Sequence, residues 1–382
     1  MTFPDSARTL RAAIAAAASE IEQTRRLPAP LVAAFVEAGL FRMYAPCALG
    51  GPECHPLVVA RTMAELAHGD ASAAWCAMIA SQCTWFAAFL PPDGAQEVFG
   101  DPRSIVGAQT RPEGEAMTVE GGGYRVRGRW PFISGVSHAQ WVGLVCHVVA
   151  DRIDPGAARR VMAFIATREL SVLDTWHTSG LRGTGSHDVE VSDVFVPRHR
   201  VFAFPAIDSV GHASPLYRDA VFNLVFVAQA GQALGVAEAA LEEFVEIASS
   251  TKRQGAGMAL REQATVQTQV AEARVIVDAA WAYLERATND VWNALSAQRS
   301  PSAPQRLVLR LAITHAIQTA IRAGDVLHTA AGGSAVYTSH PLNRRFRDLH
   351  AAGAHMQASP RVYEVAGQIL LGLDPKPGPL SP

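Results

Sequence analysis

The hydrophobic positions of the N-terminal quarter of the chain recur with the spacing of an α-helix. In the segment that starts near Ser6, the apolar residues of one helical face are Leu10, Ile14, Ala17 and Ile21. Pro28 is suited to open a second helix and Gly39 to end it as a C-cap. We therefore predict an N-terminal helical domain over residues 1–103.

Two more helices are predicted in this domain, over residues 57–68 and 71–90. The second is apolar on nearly every side and contains Trp75 and Trp85. A helix without a polar face is either buried or lines a cavity. We expect one of these two positions for it.

Around Ile105 the pattern changes from helical spacing to short runs of period two. Alternating or apolar runs of strand length occupy residues 124–128, 141–149, 161–166 and 189–196. No amphipathic segment of helix length separates them, so we predict a β-sandwich or barrel over residues 104–205.

Helical periodicity then returns and continues to the end of the chain. Four helices are predicted, over residues 222–247, 260–295 and 304–331 and in a last helix through 347–371. They suggest a four-helix bundle over residues 206–382, with a loose Pro-rich tail after Asp374. The stretch 220–237 carries no charge, which is consistent with burial against another subunit.

Composition narrows the function classes. The 382 residues are 49% hydrophobic with a formal net charge of -2, which gives no electrostatic footprint for nucleic acid or an anionic membrane. The five cysteines are odd in number and contain no C-x-x-C pair, so neither a disulfide framework nor a metal site is expected. A reducing compartment, the cytoplasm, fits this cysteine usage.

The segment Trp130–Trp141 combines small, hydroxylic and aromatic residues after a strand-like run. Ser134 and Gly135 add little bulk, and Ser134 can donate or accept a hydrogen bond. Such a backbone can approach a flat ring such as a flavin closely. The same residues would also suit an ordinary turn at a strand end.

The order of helices, β domain and helices, together with W-P-F-I-S-G at 130–135 and G-L-R-G-T-G-S-H-D-V at 180–189, resembles the acyl-CoA dehydrogenase superfamily. The similarity extends over nearly the whole chain and implies an α+β, acyl-CoA dehydrogenase-like fold. In that family the segment like Trp130–Trp141 lies along the flavin ring. A hydroxyl residue at the place of Ser134 lies near the reactive nitrogen of the ring.

The C-terminal part departs from the dehydrogenase pattern at one position. The Gly332-Gly333 turn and the later Arg347-Asp348 pair resemble the family's final helices. Dehydrogenases commonly carry a catalytic Glu shortly after that Arg-Asp pair, but Met356 stands there in this chain. A thioether cannot act as a proton acceptor in catalysis.

The spacing R-D-x-x-x-x-x-x-H, which ends at His355, instead resembles a branch of two-component flavin-dependent monooxygenases on the dehydrogenase fold. D-A-S-A-A-W at 70–75 is also similar to that branch. The resemblance implies an oxygenase component that receives reduced FMN or FAD from a separate reductase. It would form a C4a-hydroperoxyflavin with O2 and hydroxylate an aromatic or related small organic substrate. It also implies a homotetramer.

The resemblance assigns roles to individual residues. His355 and Ser134 are the candidate catalytic residues, although a lone histidine can equally be a hydrogen-bonded core residue. Candidate cofactor contacts are Trp130, Ile133, Ser134, Gly135, Arg182, Thr184, Ser186, Gly332 and Gly333. Candidate substrate contacts are Trp85, His138 and Met356. The basic pair Lys252-Arg253 could reach a neighbouring subunit's flavin phosphate or be a solvated charge cluster.

Two other function classes stay open at this point. One is an acyl-CoA dehydrogenase or oxidase that acts on a thioester with a relocated base, for which Glu364 is a candidate. The other is a helical scaffold that keeps a flavin pocket without turnover. The absence of a G-x-G-x-x-G nicotinamide fingerprint fits an enzyme that does not reduce its own flavin.

Overall fold

A computed structural model describes residues 2–149, 159–205, 213–220, 222–250 and 259–374. The pair Lys252-Arg253 and the predicted loose tail after Asp374 lie outside these residues. In the described part of the chain, no helix combines the length and apolar character needed to cross a membrane.

The N-terminal region is helical, as predicted. Its helices are α1 Phe3–Thr24, α2 Ala29–Glu37, α3 Pro56–Gly69, α4 Ala71–Thr84 and α5 Pro92–Phe99. The Asp70 side chain caps α4 by accepting a hydrogen bond of 2.9 Å from the Ala73 N–H. The helix predicted over 71–90 ends earlier, at Thr84, and continues as a 3-10 turn over Trp85–Phe89.

The middle region is a β domain whose described strands form one seven-stranded sheet. The strands are β1 Val106–Thr118, β2 Tyr124–Ile133, β3 Trp141–Val149, β4 Arg160–Ala166, β5 Ser171–Leu173, β6 His187–Val196 and β7 Val201–Ala203. Their order in the sheet is β5-β6-β2-β1-β3-β4-β7. β4 and β6 are not neighbours in this order, yet both contribute to one hydrophobic core with Trp130 at its centre. The sheet therefore curves around its own core.

The described residues of the C-terminal region form three long helices and two short ones. They are α6 Val227–Ser250, α7 Ala264–Ser296, α8 Ala303–Ala331, α9 Pro341–Gly353 and α10 Arg361–Leu370. Residues of these helices share one large hydrophobic core with α1 to α4. The two helical regions thus pack directly on each other.

The uncharged stretch 220–237 is explained by packing inside the chain. Helix α6 begins only at Val227, and its first turns are buried against α3. A Cβ at Gly231 would stand 2.3 Å from the Ala60 carbonyl oxygen, and one at Gly235 would stand 2.4 Å from Ala64 Cα. These glycines let the two backbones meet, so this burial does not require a second subunit.

The last predicted helix, through 347–371, is wrong as a single element. Helix α9 ends at Gly353, and α10 starts at Arg361 after a 3-10 turn over Met356–Ala358. His355 has extended backbone angles, φ -71° and ψ 147°, and therefore leaves the helical path. This break positions His355 beside α4, as described below.

Candidate active site

The three sequence motifs meet at one place, although they lie far apart in the chain. The Gly135 N–H donates to the Thr184 carbonyl at 2.8 Å, which joins the turn after β2 to the 180–186 loop. The Leu181 N–H donates to Asp348 Oδ1 at 2.7 Å, which joins that loop to α9. Backbone contacts therefore fix the relative positions of all three segments.

A chain of hydrogen bonds crosses this place. The Trp75 indole N–H donates to Ser134 Oγ at 3.1 Å, and Ser134 Oγ lies 2.7 Å from Ser186 Oγ. Ser186 Oγ in turn lies 2.7 Å from Thr184 Oγ1, which donates to the Leu181 carbonyl at 2.8 Å. Ser186 and Thr184 are buried, whereas Ser134 is partly accessible.

The direction of these bonds follows from counting hydrogens. A hydroxyl has one hydrogen and two lone pairs, and an indole N–H can only donate. The Thr184 hydroxyl donates its one hydrogen to the Leu181 carbonyl, so the Ser186 hydroxyl must donate to Thr184 Oγ1. The Ser134 hydroxyl must then donate to Ser186 Oγ. Ser134 also accepts from Trp75, so it has one unused lone pair. Any further group that bonds to Ser134 must be a donor.

His355 lies on the other side of Trp75. The two rings meet edge to face with centroids 5.8 Å apart, and the Phe226 ring lies 6.5 Å from the imidazole. The Gln357 N–H donates to His355 Nδ1 at 3.2 Å, so the neutral ring carries its hydrogen on Nε2. Burial, aided by the nearby Arg310 cation, lowers the pKa of His355 to about 4. At neutral pH His355 is therefore an uncharged N–H donor.

Helix α8 holds the turn that carries His355. Three side chains spaced four residues apart donate to three successive carbonyls of the turn: Arg310 to Met356 at 3.3 Å, Thr314 to Gln357 at 2.7 Å and Gln318 to Ala358 at 2.6 Å. Side chains at this spacing lie on one face of a helix. The non-helical backbone at 356–358 is thus satisfied by side chains instead of a helical ladder.

A buried pair of carboxyl groups lies behind the 180–186 loop. Burial and the neighbouring Asp70 carboxylate together raise the pKa of Asp348 to about 7, against the opposing effect of the hydrogen bond from the Leu181 N–H. Burial also raises the pKa of Asp70, against the attraction of Arg344 and Arg345. Both groups stabilise the backbone around the site and are closed off from solvent.

Some predicted site residues have their side chains in the core instead of at this junction. Trp130 is fully buried, its indole N–H donates to the Val145 carbonyl at 2.8 Å, and Ile133 belongs to the same core. Only their backbone atoms are left for a cofactor. Trp85 is also buried, and its indole N–H donates to the Leu216 carbonyl at 2.9 Å. Its side chain is therefore part of the core next to the C-terminal end of α4.

Other predicted residues border the junction. Gly135 has φ +72°, and a Cβ there would stand 3.6 Å from the His138 ring. His138 Nε2 is buried without a hydrogen-bond partner among the described residues, and burial with the nearby Arg26 lowers its pKa to about 4. Arg182 donates to the Thr178 and Glu22 carbonyls at 3.1 and 3.4 Å. Met356 is 40% exposed next to His355.

Gly332 and Gly333 lie elsewhere. They follow the C-terminal end of α8, about 30 Å along the helix from Arg310 at 1.5 Å per residue. Gly332 has φ +74°, and a Cβ at Gly333 would meet nothing within 4 Å. The structure therefore does not bring these two glycines together with Ser134 and His355 of the same chain.

The sequence reasoning missed three residues of the junction: Trp75 as the link between Ser134 and His355, Phe226, and Arg310. One signal for Arg310 was present. It is a charged residue inside the apolar run Leu307 to Ile313, and Thr314 and Gln318 follow it at helical spacing. A charged residue on the buried face of a helix is expected to have a functional or structural partner.

The comparisons with known proteins agree with this geometry. Residues 3–90 match the family described as acyl-CoA dehydrogenase, N-terminal domain, and residues 227–360 match acyl-CoA dehydrogenase, C-terminal domain. The chain is 31% identical to the FADH(2)-dependent resorcinol hydroxylase, oxygenase component, of a Rhizobium species, over 94% of this chain and 91% of that protein. It is 30% identical to the oxygenase subunit HsaA of a flavin-dependent monooxygenase from Rhodococcus jostii, over 93% and 94% of the two chains.

Solved structures give the same result. The 3-HSA hydroxylase from Rhodococcus sp. RHA1 matches with a TM-score of 0.90 and 28% identity, over 99% of this chain and 98% of that one. XiaF from a Streptomyces species, solved with FADH2 and glycerol, matches with a TM-score of 0.91 and 28% identity, over 98% and 96%. Reduced flavin is accordingly the cofactor, and a separate flavin reductase is the expected partner. The chain belongs to the acyl-CoA dehydrogenase superfamily, in its branch of oxygenase components of flavin-dependent monooxygenases.

Proposed function

We propose that this oxygenase component hydroxylates a small aromatic substrate at the junction formed by Ser134, Trp75 and His355. The observation that carries the proposal is that Ser134 and His355 contact one indole ring, that of Trp75, while Ser134 also joins Ser186 of the 180–186 loop. Trp75 contacts Ser134 on one side and His355 on the other. Trp75 thereby fixes the position of Ser134, the candidate flavin contact, relative to His355, the candidate catalytic residue.

The names of relatives support an aromatic substrate. Resorcinol hydroxylase and the indole-3-acetate monooxygenase of Pseudomonas putida, which is 28% identical over 94% of this chain, are both named for aromatic compounds. The aromatic rings of Trp75 and Phe226 beside His355 suit the same ligand class, because flat rings pack well on aromatic faces and edges.

Ser134 fits a reduced flavin better than an oxidised one. The ring nitrogen that donates an N–H in the reduced flavin is an acceptor in the oxidised flavin, and the one unused position of Ser134 is a lone pair. When bound, reduced flavin supplies the electrons that activate O2 for the transfer of one oxygen atom. Ser134, Gly135 and the 182–186 loop would hold it.

His355 would act as a neutral hydrogen-bond donor. Its Nδ1 is occupied by the Gln357 N–H, so Nε2–H is the atom that can reach an oxygen of the reacting partners. With a pKa lowered to about 4, the ring does not gain a proton above that pH. It can therefore stabilise a negatively polarised oxygen at neutral pH without changing its own charge.

The alternative of a thioester dehydrogenase with a relocated base is less well supported. Glu364 on α10 is exposed to solvent, and Asp348 is buried with one oxygen bonded to the Leu181 N–H. Neither carboxylate has the accessible, desolvated position of a catalytic base. Met356 stands where the dehydrogenase base is expected.

A homotetramer and a cytoplasmic location complete the proposal. Gly332 and Gly333 lie about 30 Å from this chain's own His355 cluster, so any flavin they contact would be that of a neighbouring subunit. Leu370 and Leu371 at the end of α10 are 77% and 80% exposed, as expected for residues that a neighbour covers. All five cysteines are free, which suits a reducing compartment. The reductase would pass reduced flavin to this chain by diffusion.

The substitution His355→Ala tests the assigned chemistry. We expect reduced-flavin uptake and folding to persist, while turnover falls roughly a hundredfold or more and oxygen consumption yields hydrogen peroxide in place of product. The ratio of hydroxylated product to peroxide, measured with a panel of phenols, gives the result. An unchanged ratio would remove His355 from the chemistry. A lower melting temperature with normal coupling would make it a structural residue.

A further inference from the structure

Arg310 is a buried cation with unused hydrogen-bond donors. It is 1% exposed on α8, and of its guanidinium nitrogens only Nη2 has a described partner, the Met356 carbonyl at 3.3 Å. Nε and Nη1 are shielded from solvent and have no hydrogen-bond partner among the described residues. None of the ion pairs within the described residues includes Arg310.

Such an arrangement is unfavourable without a ligand. A buried charge whose donors are unsatisfied is strongly destabilising in general, and buried cations in native structures are therefore paired or bind an anion. The hydrogen bond to Met356 explains one nitrogen only. Thr314 and Gln318 hold the same turn without a charge, so holding the turn does not by itself require an arginine.

The Arg310 guanidinium lies beside His355, the candidate catalytic residue. Arg310 bonds to the residue after His355, and its charge is one of the two influences that lower the pKa of His355. His355 presents Nε2–H, since its Nδ1 accepts from Gln357. The two side chains together supply donors and one positive charge, and no described carboxylate is paired with either of them. Donors with one unpaired positive charge favour a ligand that presents a negatively charged oxygen.

We propose that Arg310 binds the ionised oxygen of the substrate, and that the substrate class is accordingly a phenol bound as its phenolate. The inference rests on the proposed function, because it assigns the ligand of that site. A phenolate oxygen carries a full charge and can accept from both Arg310 and His355. Its ring would then lie against Trp75 and Phe226. The ionised oxygen also makes the ring richer in electrons, which favours transfer of an electrophilic oxygen atom to it.

The test compares two ligands of nearly the same shape. Pentafluorophenol is ionised at neutral pH, whereas its methyl ether, pentafluoroanisole, cannot ionise. Their dissociation constants are measured on the full chain under anaerobic conditions with reduced flavin bound, from the quenching of tryptophan fluorescence or by calorimetry. We expect the phenolate to bind roughly tenfold to a hundredfold more tightly, as for a hydrogen bond to a charged group.

Three variants isolate the charge. Arg310→Gln should remove the preference for the phenolate while leaving pentafluoroanisole binding within about a factor of two. Arg310→Lys should keep part of the preference for the phenolate. Thr314→Val is the matched control, because it removes a hydrogen bond to the neighbouring carbonyl of the same turn without changing charge, and it should keep the full preference.

The outcomes separate this inference from the proposed function. If reduced flavin binds but the wild type shows no phenolate preference, or Arg310→Gln and Thr314→Val weaken both ligands equally, the inference is wrong and Arg310 only holds the turn. A preference for benzoate with none for pentafluorophenol would also overturn the phenolate assignment. Failure of the wild type to bind reduced flavin at all would instead refute the proposed function.

Discussion

At the scale of single residues, the direction of the hydrogen bonds at Ser134 is the most informative feature. Trp75, Ser186 and Thr184 form a one-way chain that ends on the Leu181 carbonyl, so the Ser134 hydrogen is already used. Only a donor can complete the environment of Ser134. The proposed preference for reduced flavin thus rests on which atoms hold the hydrogens, and we expect it to weaken when Ser186, which accepts the Ser134 hydrogen, is replaced.

Ser186→Ala should weaken the preference for reduced flavin. Without Ser186 Oγ, the Ser134 hydroxyl is free to rotate and donate to an acceptor, which the oxidised ring provides. We expect the ratio of the oxidised-flavin to the reduced-flavin dissociation constant to fall by up to about tenfold, the value of one neutral hydrogen bond. The two constants are measured separately, the reduced one anaerobically.

Trp75→Phe serves as the counterpart, because it removes a donor to Ser134 and leaves the Ser134 hydrogen on Ser186. The preference for reduced flavin should survive in this variant. Equal ratios in the wild type and in Ser186→Ala would show that Ser134 does not select the redox state.

At the scale of elements, the contact between α6 and α3 holds the two helical regions together. Gly231 and Gly235 are one helical turn apart and face the backbone of Ala60 and Ala64. A side chain at either glycine has no room. The site depends on this contact, since α4 follows α3 directly and carries Trp75.

Gly235→Ala should therefore lower the free energy of unfolding, although alanine favours helices. A Cβ at this position would stand 2.4 Å from Ala64 Cα, and overpacking of this kind is destabilising by about 1 to 3 kcal/mol. Gly367→Ala on α10 is the control, because its Cβ would meet nothing within 4 Å and alanine gains up to about 1 kcal/mol in a helix. Denaturant unfolding measures both. A stabilised Gly235→Ala protein would refute the close helix contact.

The same elements show how far sequence reasoning reaches. The strand predicted over 141–149 coincides with β3 and that over 161–166 with β4, because apolar runs between turn residues are a local signal. The helix predicted through 347–371 failed, because the break at 354–360 is held by Arg310, Thr314 and Gln318 on a distant helix. His355 and Ser134 were predicted as site residues from their motifs, and both side chains contact Trp75. The contacts of Trp75 have no local pattern in the sequence, and the only local signal for Arg310 is its charge inside the apolar run Leu307 to Ile313.

At the scale of the whole molecule, the described chain has two cores. One is shared by the N- and C-terminal helices, and the other is enclosed by the sheet. The candidate site lies where the β2 end, the 180–186 loop and α4 meet, between these cores. Gly332 and Gly333 are predicted to contact flavin but are remote from this junction, and in the proposed tetramer they would contact the flavin of a neighbouring subunit.

We expect a tetramer in solution. Light scattering coupled to size-exclusion chromatography should give about four times the 40.7 kDa chain mass at micromolar concentration. The exposed Leu370 and Leu371 and the remote Gly332 and Gly333 would then have a neighbour. A stable monomer at the same concentration, with full activity, would contradict the assembly and leave these glycines without a cofactor role.

The origin of the transferred oxygen tests the central claim most directly. The full chain is supplied with enzymatically reduced flavin, a phenol that it hydroxylates, and dioxygen labelled with a heavy oxygen isotope, and the product is analysed by mass spectrometry. The account predicts one labelled oxygen atom in each molecule of product, and none when reduced flavin is omitted. Unlabelled product, or a protein that yields no hydroxylated phenol but bleaches oxidised flavin on addition of an acyl-CoA, would contradict it.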